Sequence, residues 1–193
     1  HALVRGGDGA IPFLFVHGLA SNARLWDEVA EAVAEAGHGS VAVDQRGHGR
    51  SSQCDDGFDF ATLAGDLSAV IDATVARPVV AVGQSWGANV VLELAARLPD
   101  RVVGLGLVDG GFIRLGDAFP SWDEAQERLA PPSFEHLTRN QLEVMMRQHL
   151  AGFSDNAIAA QLANFEEDPD GMVRARLRRH NHLTILQQLW EHD

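Results

Sequence analysis

The sequence predicts an α/β protein with a doubly wound, mostly parallel sheet, and three observations lead to this class. Four short apolar runs recur along the first 110 residues, and each is continuous rather than alternating, as is typical of strands covered on both faces. The intervals between them carry apolar residues at helical spacing. After Asp109 this alternation stops and the chain becomes mostly helical. Alternating strands and helices specify right-handed crossovers, which place functional groups beyond the carboxyl ends of the strands.

Each predicted strand is a short apolar run that ends in turn residues. The four runs are residues 11–18, 40–47, 78–85 and 102–110. Each of the three intervals carries one apolar face at helical spacing. These faces are formed by Trp26, Val29, Ala30, Val33 and Ala34, by Leu63, Leu67, Val70 and Ile71, and by Val90, Val91, Leu94 and Ala95. Strand and helix are therefore expected to alternate from residue 11 to residue 110.

The pattern changes after residue 111, so we expect residues 1–111 to form part of an α/β core and residues 112–190 to form an inserted helical cap. Prolines break this second stretch, and we predict no strand in it. One helical face is formed by Leu142, Met145, Met146 and Leu150. Ser154 then provides an N-cap for the next helix. Apolar stripes of this kind serve packing more often than pocket formation, and both interpretations stay open.

Composition limits the classes of partner and of chemistry. The chain has 193 residues with 46% apolar content and a formal charge of -12, which disfavours nucleic acid and anionic membranes as partners because both repel acidic proteins. All 15 basic residues are arginine, and tyrosine is absent, which excludes a Schiff-base lysine or a tyrosine acid from this chain. Cys54 is the only cysteine, and we find neither a secretory signal nor a membrane-length apolar run. We therefore expect a cytoplasmic protein.

The segment GQSWG, residues 83–87, follows a predicted strand and opens a predicted helix. This is the setting of a nucleophile elbow, in which a serine on a sharp turn needs small neighbours two positions away on each side. Gly83 and Gly87 satisfy that requirement around Ser85. The helix that begins here would direct free amides and its positive dipole end towards the serine. We predict Ser85 as the nucleophile, the alternative being a serine in an ordinary tight turn.

A second turn, at His17, Gly18 and Leu19, ends the first predicted strand. A turn at this place can offer a backbone amide to the oxyanion of a tetrahedral intermediate. We predict the Leu19 and Trp86 N–H groups as the two oxyanion donors. His17 lies upstream of the nucleophile, and we interpret it as a residue that orients the loop rather than as the general base.

The segment DQRGHGRSS, residues 44–52, ends the second predicted strand. Its glycines and charged side chains are best explained as support for a loop beside the active site. A direct catalytic role for Asp44 or His48 is the alternative.

Three segments together resemble the α/β-hydrolase superfamily, and specifically its capped branch of esterases, haloperoxidase-like enzymes that need no cofactor, and carbon–carbon bond hydrolases. They are FVHGLASN (15–22), DQRGHGRS (44–51) and VGQSWGANVVLELAARLPDRV (82–102), and the similarity extends over about residues 11–111. The resemblance implies the family fold and hydrolytic chemistry. Haloalkane dehalogenases and epoxide hydrolases in this branch use an aspartate as the nucleophile, so Ser85 disfavours those activities. Ala88 replaces a glycine found in many relatives, which is a mild departure.

The resemblance also implies a triad order of serine, acid and then histidine, with the last two residues usually after further strands. The sequence ends before such strands, so it looks truncated, and we expect the catalytic histidine beyond residue 193. Asp109 stands where some relatives carry the acid, the alternative being a loop-capping aspartate. We interpret His180, His182 and His192 as cap or surface residues.

We therefore predict a serine hydrolase that acts on a small uncharged ester or related acyl or carbonyl compound through an acyl-enzyme on Ser85. Four apolar side chains of the cap are predicted to cover the substrate: Phe119, Trp122, Met146 and Phe165. No cofactor is predicted and no metal, because His180 and His182 do not share a helix face and no carboxylate cluster accompanies them. The alternatives are a non-catalytic ligand-binding member of the fold, an acyltransferase or a haloperoxidase-like enzyme. Substrate identity and oligomeric state stay open.

Overall fold

A computed structural model describes residues 1–7 and 11–192, and the first part of the chain forms a five-stranded sheet. The strands are β1 (Ala2–Arg5), β2 (Phe13–Val16), β3 (Ser40–Val43), β4 (Val79–Gln84) and β5 (Val102–Val108). Their order across the sheet is β1-β3-β2-β4-β5. β2 pairs in parallel with both β3 and β4, β4 pairs in parallel with β5, and β1 is antiparallel to β3. The predicted class, a mostly parallel α/β sheet, is confirmed.

Helices cover both faces of this sheet. The three helices of the first part are α1 (Asp27–Glu35), α2 (Phe60–Thr74) and α3 (Trp86–Arg97). Leu14 and Val16 of β2 join the main core cluster with α2 and α3, whereas Phe15 between them faces a second cluster with Trp26 and Ala30. Alternate residues of one strand are thus buried on opposite faces, which explains why its sequence is continuously apolar.

The two end strands of the sheet differ from the expectation in different ways. β1 was not predicted, because four residues that pair only with β3 carry too short a pattern to distinguish from a loop. β5 pairs only with β4 in the described residues and lies at the other end. Val103, Leu105 and Val108 of β5 are exposed although they are apolar. The continuous apolar run predicted a strand covered on both faces, whereas the described residues leave part of β5 uncovered and one of its edges unpaired.

The second part of the chain is mostly helical, but it also contains a hairpin. Its elements are α4 (Leu115–Ala118), α5 (Trp122–Leu129), α6 (Arg139–His149), α7 (Asp155–Leu162), β6 (Phe165–Glu167), β7 (Val173–Ala175) and α8 (Arg179–Glu191). The prediction that residues 112–190 contain no strand is wrong, because β6 and β7 form an antiparallel pair. Their connection DPDG is a turn in which the Asp168 carboxylate accepts the N–H groups of Asp170 and Met172.

This second part packs partly on itself and partly on the sheet domain. Its own small core contains Leu142, Ile158, Leu162, Phe165 and Val173. Helix α8 instead contributes buried side chains to the main core cluster. Two buried amides also join the parts, since Asn22 donates to the carbonyl oxygen of Ala160 and Asn181 donates to that of Cys54. Thr138 caps the N-terminus of α6 and Ser154 that of α7, and only the Ser154 cap was predicted from the sequence.

Candidate active site

Ser85 lies on the sharp turn between β4 and α3, and its backbone is strained. Its φ of 52° and ψ of -125° fall outside the regions that non-glycine residues prefer. Two hydrogen bonds hold this turn: the Ser85 N–H donates to the Val108 oxygen at 2.8 Å, and the Ala88 N–H donates to the Ser85 oxygen at 2.9 Å. The side chain is half-buried at the first residue before the helix. The predicted strand–serine–helix geometry is thus present.

The glycines on either side of Ser85 leave no room for a side chain. A Cβ at Gly83 would overlap the backbone of Gly87, and a Cβ at Gly87 would lie 2.6 Å from the Val16 oxygen. Such approaches are shorter than any ordinary carbon–oxygen contact, so glycine is required at both positions. The elbow is therefore packed directly against the end of β2.

The turn after β2 lies beside the elbow. A Cβ at Gly18 would be 3.1 Å from the Ser85 Cβ, so this backbone touches the serine. The N–H groups of Leu19 and Trp86 have no acceptor among the residues that the structure describes. Two free amides next to one serine are what an oxyanion hole requires. Trp86 itself is almost fully buried under its first helical turn.

His17 is buried, and its ring nitrogens bind the backbone of its own turn and of the loop after β3. The Gln45 N–H donates to His17 Nε2 at 3.1 Å, so Nε2 is the acceptor and Nδ1 carries the hydrogen, which it donates to the Gly18 oxygen at 2.7 Å. Burial lowers the pKa of His17 well below its ordinary value. With both ring nitrogens engaged, His17 orients the turn, as interpreted from the sequence.

The loop after β3 is ordered by Asp44, which is buried. Its carboxylate accepts the Ala23 N–H at 2.7 Å and the Arg50 N–H at 2.8 Å, and it lies 2.8 Å from His1 Nδ1. Charge-assisted bonds of this kind are among the stronger ones in proteins. Asp44 therefore fixes the loop around His48 rather than facing Ser85 with a free oxygen.

A cavity of about 340 Å³ lies between this loop and the second part of the chain. Its walls are mostly apolar, and its polar atoms come from a few side chains. The lining includes Ala20, His48, Leu129, Pro131, Phe134, Met146, Gln161, Asn164, Phe165, Leu177 and His182. Burial lowers the pKa of His48 to about 3 and also lowers that of His182, so both are neutral near pH 7. The cavity presents no carboxylate.

The four predicted substrate-covering residues fall into two pairs. Met146 and Phe165 line the cavity. Phe119 and Trp122 pack instead against the main core cluster, where the Trp122 ring is 6.2 Å from that of Trp190. Sequence patterns did not indicate His48 and His182 as wall residues, because their separation along the chain hides their proximity. The sequence did contain one signal for an irregular wall, the prolines at 131 and 132, because consecutive prolines interrupt helices and strands.

Asp109 follows β5 directly and is exposed, with a φ of 51°. It comes one residue after Val108, whose oxygen holds the Ser85 amide, so its backbone lies close to the elbow. The three late histidines lie elsewhere. His180 binds Asp55 at 2.9 Å on the surface, His182 lines the cavity, and the His192 ring stacks on that of Phe60. Among the described residues, no histidine is hydrogen-bonded to Ser85.

Two further observations concern ions and membranes. Within residues 1–7 and 11–192, no group of three or more His, Cys, Asp or Glu side chains is arranged to hold a metal ion. No helix in that same part of the chain is long and apolar enough to cross a membrane.

The chain is similar to known proteins in sequence and in fold. A family model described as "alpha/beta hydrolase fold" matches residues 11–177. A haloalkane dehalogenase from Mesorhizobium japonicum is 34% identical over 125 residues, which are 65% of this chain and 38% of that protein. A non-heme chloroperoxidase from Kitasatospora aureofaciens is 36% identical over 86 residues, which are 45% of this chain and 31% of that protein. The matched segments thus span well under half of either relative.

Among solved structures, the fold is similar to that of E-2-(acetamidomethylene)succinate hydrolase. The TM-score is 0.77 at 24% sequence identity, and the alignment covers 96% of this chain and 68% of the other. Likeness at this identity concerns the fold alone. It extends through nearly all of the chain, including the mostly helical second part.

Proposed function

The chain belongs to the α/β-hydrolase family, and from this premise we propose that it is a serine hydrolase that cleaves a small uncharged ester or a related acyl or carbonyl compound. One observation carries the proposal: Ser85 sits on a strained elbow with two free amides beside it. Backbone strain of this kind persists only where surrounding contacts enforce it, and it is concentrated at functional sites.

In the proposed mechanism, the Ser85 oxygen attacks the acyl carbonyl carbon while a base takes its proton. The carbonyl oxygen becomes an oxyanion that the Leu19 and Trp86 N–H groups hold, and the leaving alkoxide departs with a proton returned by the base. Water, whose proton the base takes, then attacks the acyl carbon; the bond to the Ser85 oxygen breaks, the acid is released and the base returns the proton to Ser85. The N-terminus of α3 adds its positive dipole end at the oxyanion.

The described residues include a candidate nucleophile and two candidate oxyanion amides, but no histidine hydrogen-bonded to Ser85 that could act as the base. His17 and His48 are engaged in backbone hydrogen bonds and neutralised by burial, so neither is suited to accept the serine proton. Asp109 is proposed as the acid only on its position after β5. The proposal therefore assigns the base to none of His17, His48, His180, His182 and His192, and it predicts weak turnover by residues 1–193.

The cavity supports an uncharged substrate. An ammonium group would lose its hydration in an apolar space that offers it two neutral histidines and no carboxylate. The guanidinium of Arg176, which also lines the cavity, is already paired with Glu166 at 3.2 Å, so it supports a substrate carboxylate less than a free charge would. We propose that residues 112–190 act as a cap over this space, with Met146 and Phe165 in contact with the substrate. Phe119 and Trp122 would contact the substrate only after a movement of the cap towards the elbow.

Relatives named as a dehalogenase and an epoxide hydrolase raise the question of those activities. The proposal disfavours both because their branch uses an aspartate nucleophile, whereas position 85 is serine. A haloperoxidase-like activity remains the second candidate, since a chloroperoxidase is also a relative. Acyl transfer to an alcohol would use the same acyl-enzyme, and product analysis with alcohols present distinguishes it from hydrolysis.

Reaction of the complete gene product with a fluorophosphonate tests the proposal. Peptide mass spectrometry should find the phosphonyl group on Ser85, and the Ser85→Ala variant should remain unlabelled. A protein that keeps the fold only to bind a ligand would have no activated serine. Absence of labelling at Ser85 under conditions that label a known serine esterase would therefore refute the assignment.

A further inference from the structure

His48 is the buried residue that connects the two sides of the oxyanion hole. It lies in the loop after β3 and is 1% exposed. Its Nδ1 is 2.9 Å from the Arg46 oxygen, and the Ala20 N–H approaches its Nε2 at 3.3 Å. An N–H can donate only to an unprotonated nitrogen, so Nε2 is the acceptor and Nδ1 carries the hydrogen. One neutral imidazole thus bridges two loops.

The hydrogen bond to Ala20 restrains a turn that would otherwise relax. Ala20 has a φ of 58°, which is the left-handed region that an alanine rarely adopts. Among the described residues, the backbone of this turn is closed on itself by one long bond, 3.3 Å, from the Ser21 N–H to the Gly18 oxygen, which also accepts from His17 Nδ1. Leu19, one of the two proposed oxyanion donors, lies between Gly18 and Ala20. The Ala20 N–H belongs to the 19–20 peptide, so its release would let the Leu19 torsions change and the neighbouring 18–19 peptide, which carries the Leu19 N–H, turn with them.

The ring of His48 also lies under the second donor. It stacks on the Trp86 indole with ring centroids 5.5 Å apart and an angle of 26° between planes. On its other side it is 5.0 Å from the His17 ring, whose Nδ1 binds the Gly18 oxygen. His48 consequently contacts the turn that carries one proposed donor and the side chain of the residue that carries the other.

We infer that His48 is a positioning residue: its Nε2 acceptor holds the Ala20 amide and so aims the Leu19 N–H at the oxyanion that forms on the Ser85 adduct. The inference rests on the proposed function. It assigns His48 no proton transfer, and it requires that Nε2 stay unprotonated. Burial in the desolvated loop, which lowers the pKa of His48 to about 3, meets that requirement throughout the neutral range.

This role has a kinetic signature that a structural role lacks. An oxyanion donor binds the transition state more strongly than the substrate, so misplacing it lowers kcat and leaves KM nearly unchanged. Removal of a donor costs about 100- to 1000-fold in kcat, and a displaced donor should cost less, about 10- to 100-fold.

Glutamine and methionine give a matched pair of substitutions at His48. Both are unbranched and of similar length, and both lose the ring, but only glutamine places an oxygen acceptor near the Nε2 position. In the complete gene product, His48→Met should lower kcat at least about tenfold below His48→Gln, with KM values within about threefold of each other. His38→Met, at the opposite end of the sheet, is the control and should keep the parent kcat.

Two measurements keep folding apart from positioning. Rates are expressed per site that reacts with a fluorophosphonate, so unfolded molecules do not count. Affinity for a trifluoromethyl ketone, which forms an oxyanion adduct with the serine, should fall in His48→Met by the same factor as kcat, whereas affinity for the product acid should not.

The outcomes separate the inference from the proposed function. Equal kcat and equal ketone affinity in His48→Gln and His48→Met would overturn the positioning role, provided that Ser85→Ala has lost turnover. A rise in KM without a fall in kcat in His48→Met would also overturn it. If Ser85→Ala retained turnover, the proposed function would fail, and the role of His48 would fail with it.

Discussion

Acidification should destabilise this fold through its two fully buried histidines. His17 and His48 are neutral in the folded state, because burial lowers the pKa of His17 to about 4 and that of His48 to about 3. In the unfolded chain each would titrate at about 6.5. Between these values the unfolded state binds protons that the folded state does not. The free energy of unfolding therefore falls as the pH falls through about 6.5, and it is fully retained above that pH.

The size of the effect between pH 7.5 and 5.5 does not depend on the folded pKa values, since both lie below that range. Over this interval each histidine lowers the free energy of unfolding by about 1.4 kcal/mol, and the two together lower it by about 3 kcal/mol. Desolvation lowers the pKa of His182 as well, so it adds to the same trend. A fall of this size is a large fraction of the stability of an ordinary domain.

Urea unfolding at pH 7.5, 6.5 and 5.5, at constant ionic strength, measures the effect. The midpoint should move to lower urea as the pH falls, and the His48→Gln variant should show about 1.4 kcal/mol less pH dependence than the parent. A free energy of unfolding that is the same at pH 7.5 and 5.5 would mean that these rings are not buried in neutral form. An unchanged pH dependence in His48→Gln would contradict the assignment to His48.

Three other tests, which use five substitutions, address the packing around the site. Gly87→Ala should destabilise the fold by about 3 kcal/mol because its Cβ meets the β2 backbone, whereas Gly65→Ala, in open space on α2, should stabilise it by about 0.5 to 1 kcal/mol; thermal melting compares them. Asp44→Ala should cost about 3 kcal/mol in urea unfolding because it leaves the buried Ala23 amide and the part-buried Arg50 amide without their acceptor, and a change below about 1 kcal/mol would contradict its role in the loop. Met146→Ala should alter the ratio of kcat/KM between short and longer acyl esters, whereas Trp122→Ala should mainly lower the melting temperature; the reverse pattern would exchange their roles.

The sheet and the elbow could be predicted because their signals are local. Continuous apolar runs identify strands buried on both faces. The elbow is identified within five residues, because Gly83 and Gly87 are the small neighbours that Ser85 requires on each side. The fold class needed no information on distant contacts.

The parts that escaped prediction depend on contacts between distant segments. Strands β1, β6 and β7 are each only three or four residues long, so they form because they pair with another strand and not because of an apolar pattern in the sequence. The division of the four cap residues between cavity and core depends on how α5 and α6 dock, which no periodicity encodes. The bridge from His48 to Ala20 spans 28 residues of sequence and could not be anticipated from either loop alone.

Steady-state hydrolysis of a short-chain chromogenic ester by the complete gene product and its Ser85→Ala variant tests the central claim most directly. The side chain is small and half-buried, so the variant should fold as the parent does, which circular dichroism and melting temperature can establish. Loss of the covalent step should lower kcat by more than about 1000-fold. A folded Ser85→Ala protein that hydrolyses the ester within tenfold of the parent rate would show that Ser85 is not the nucleophile.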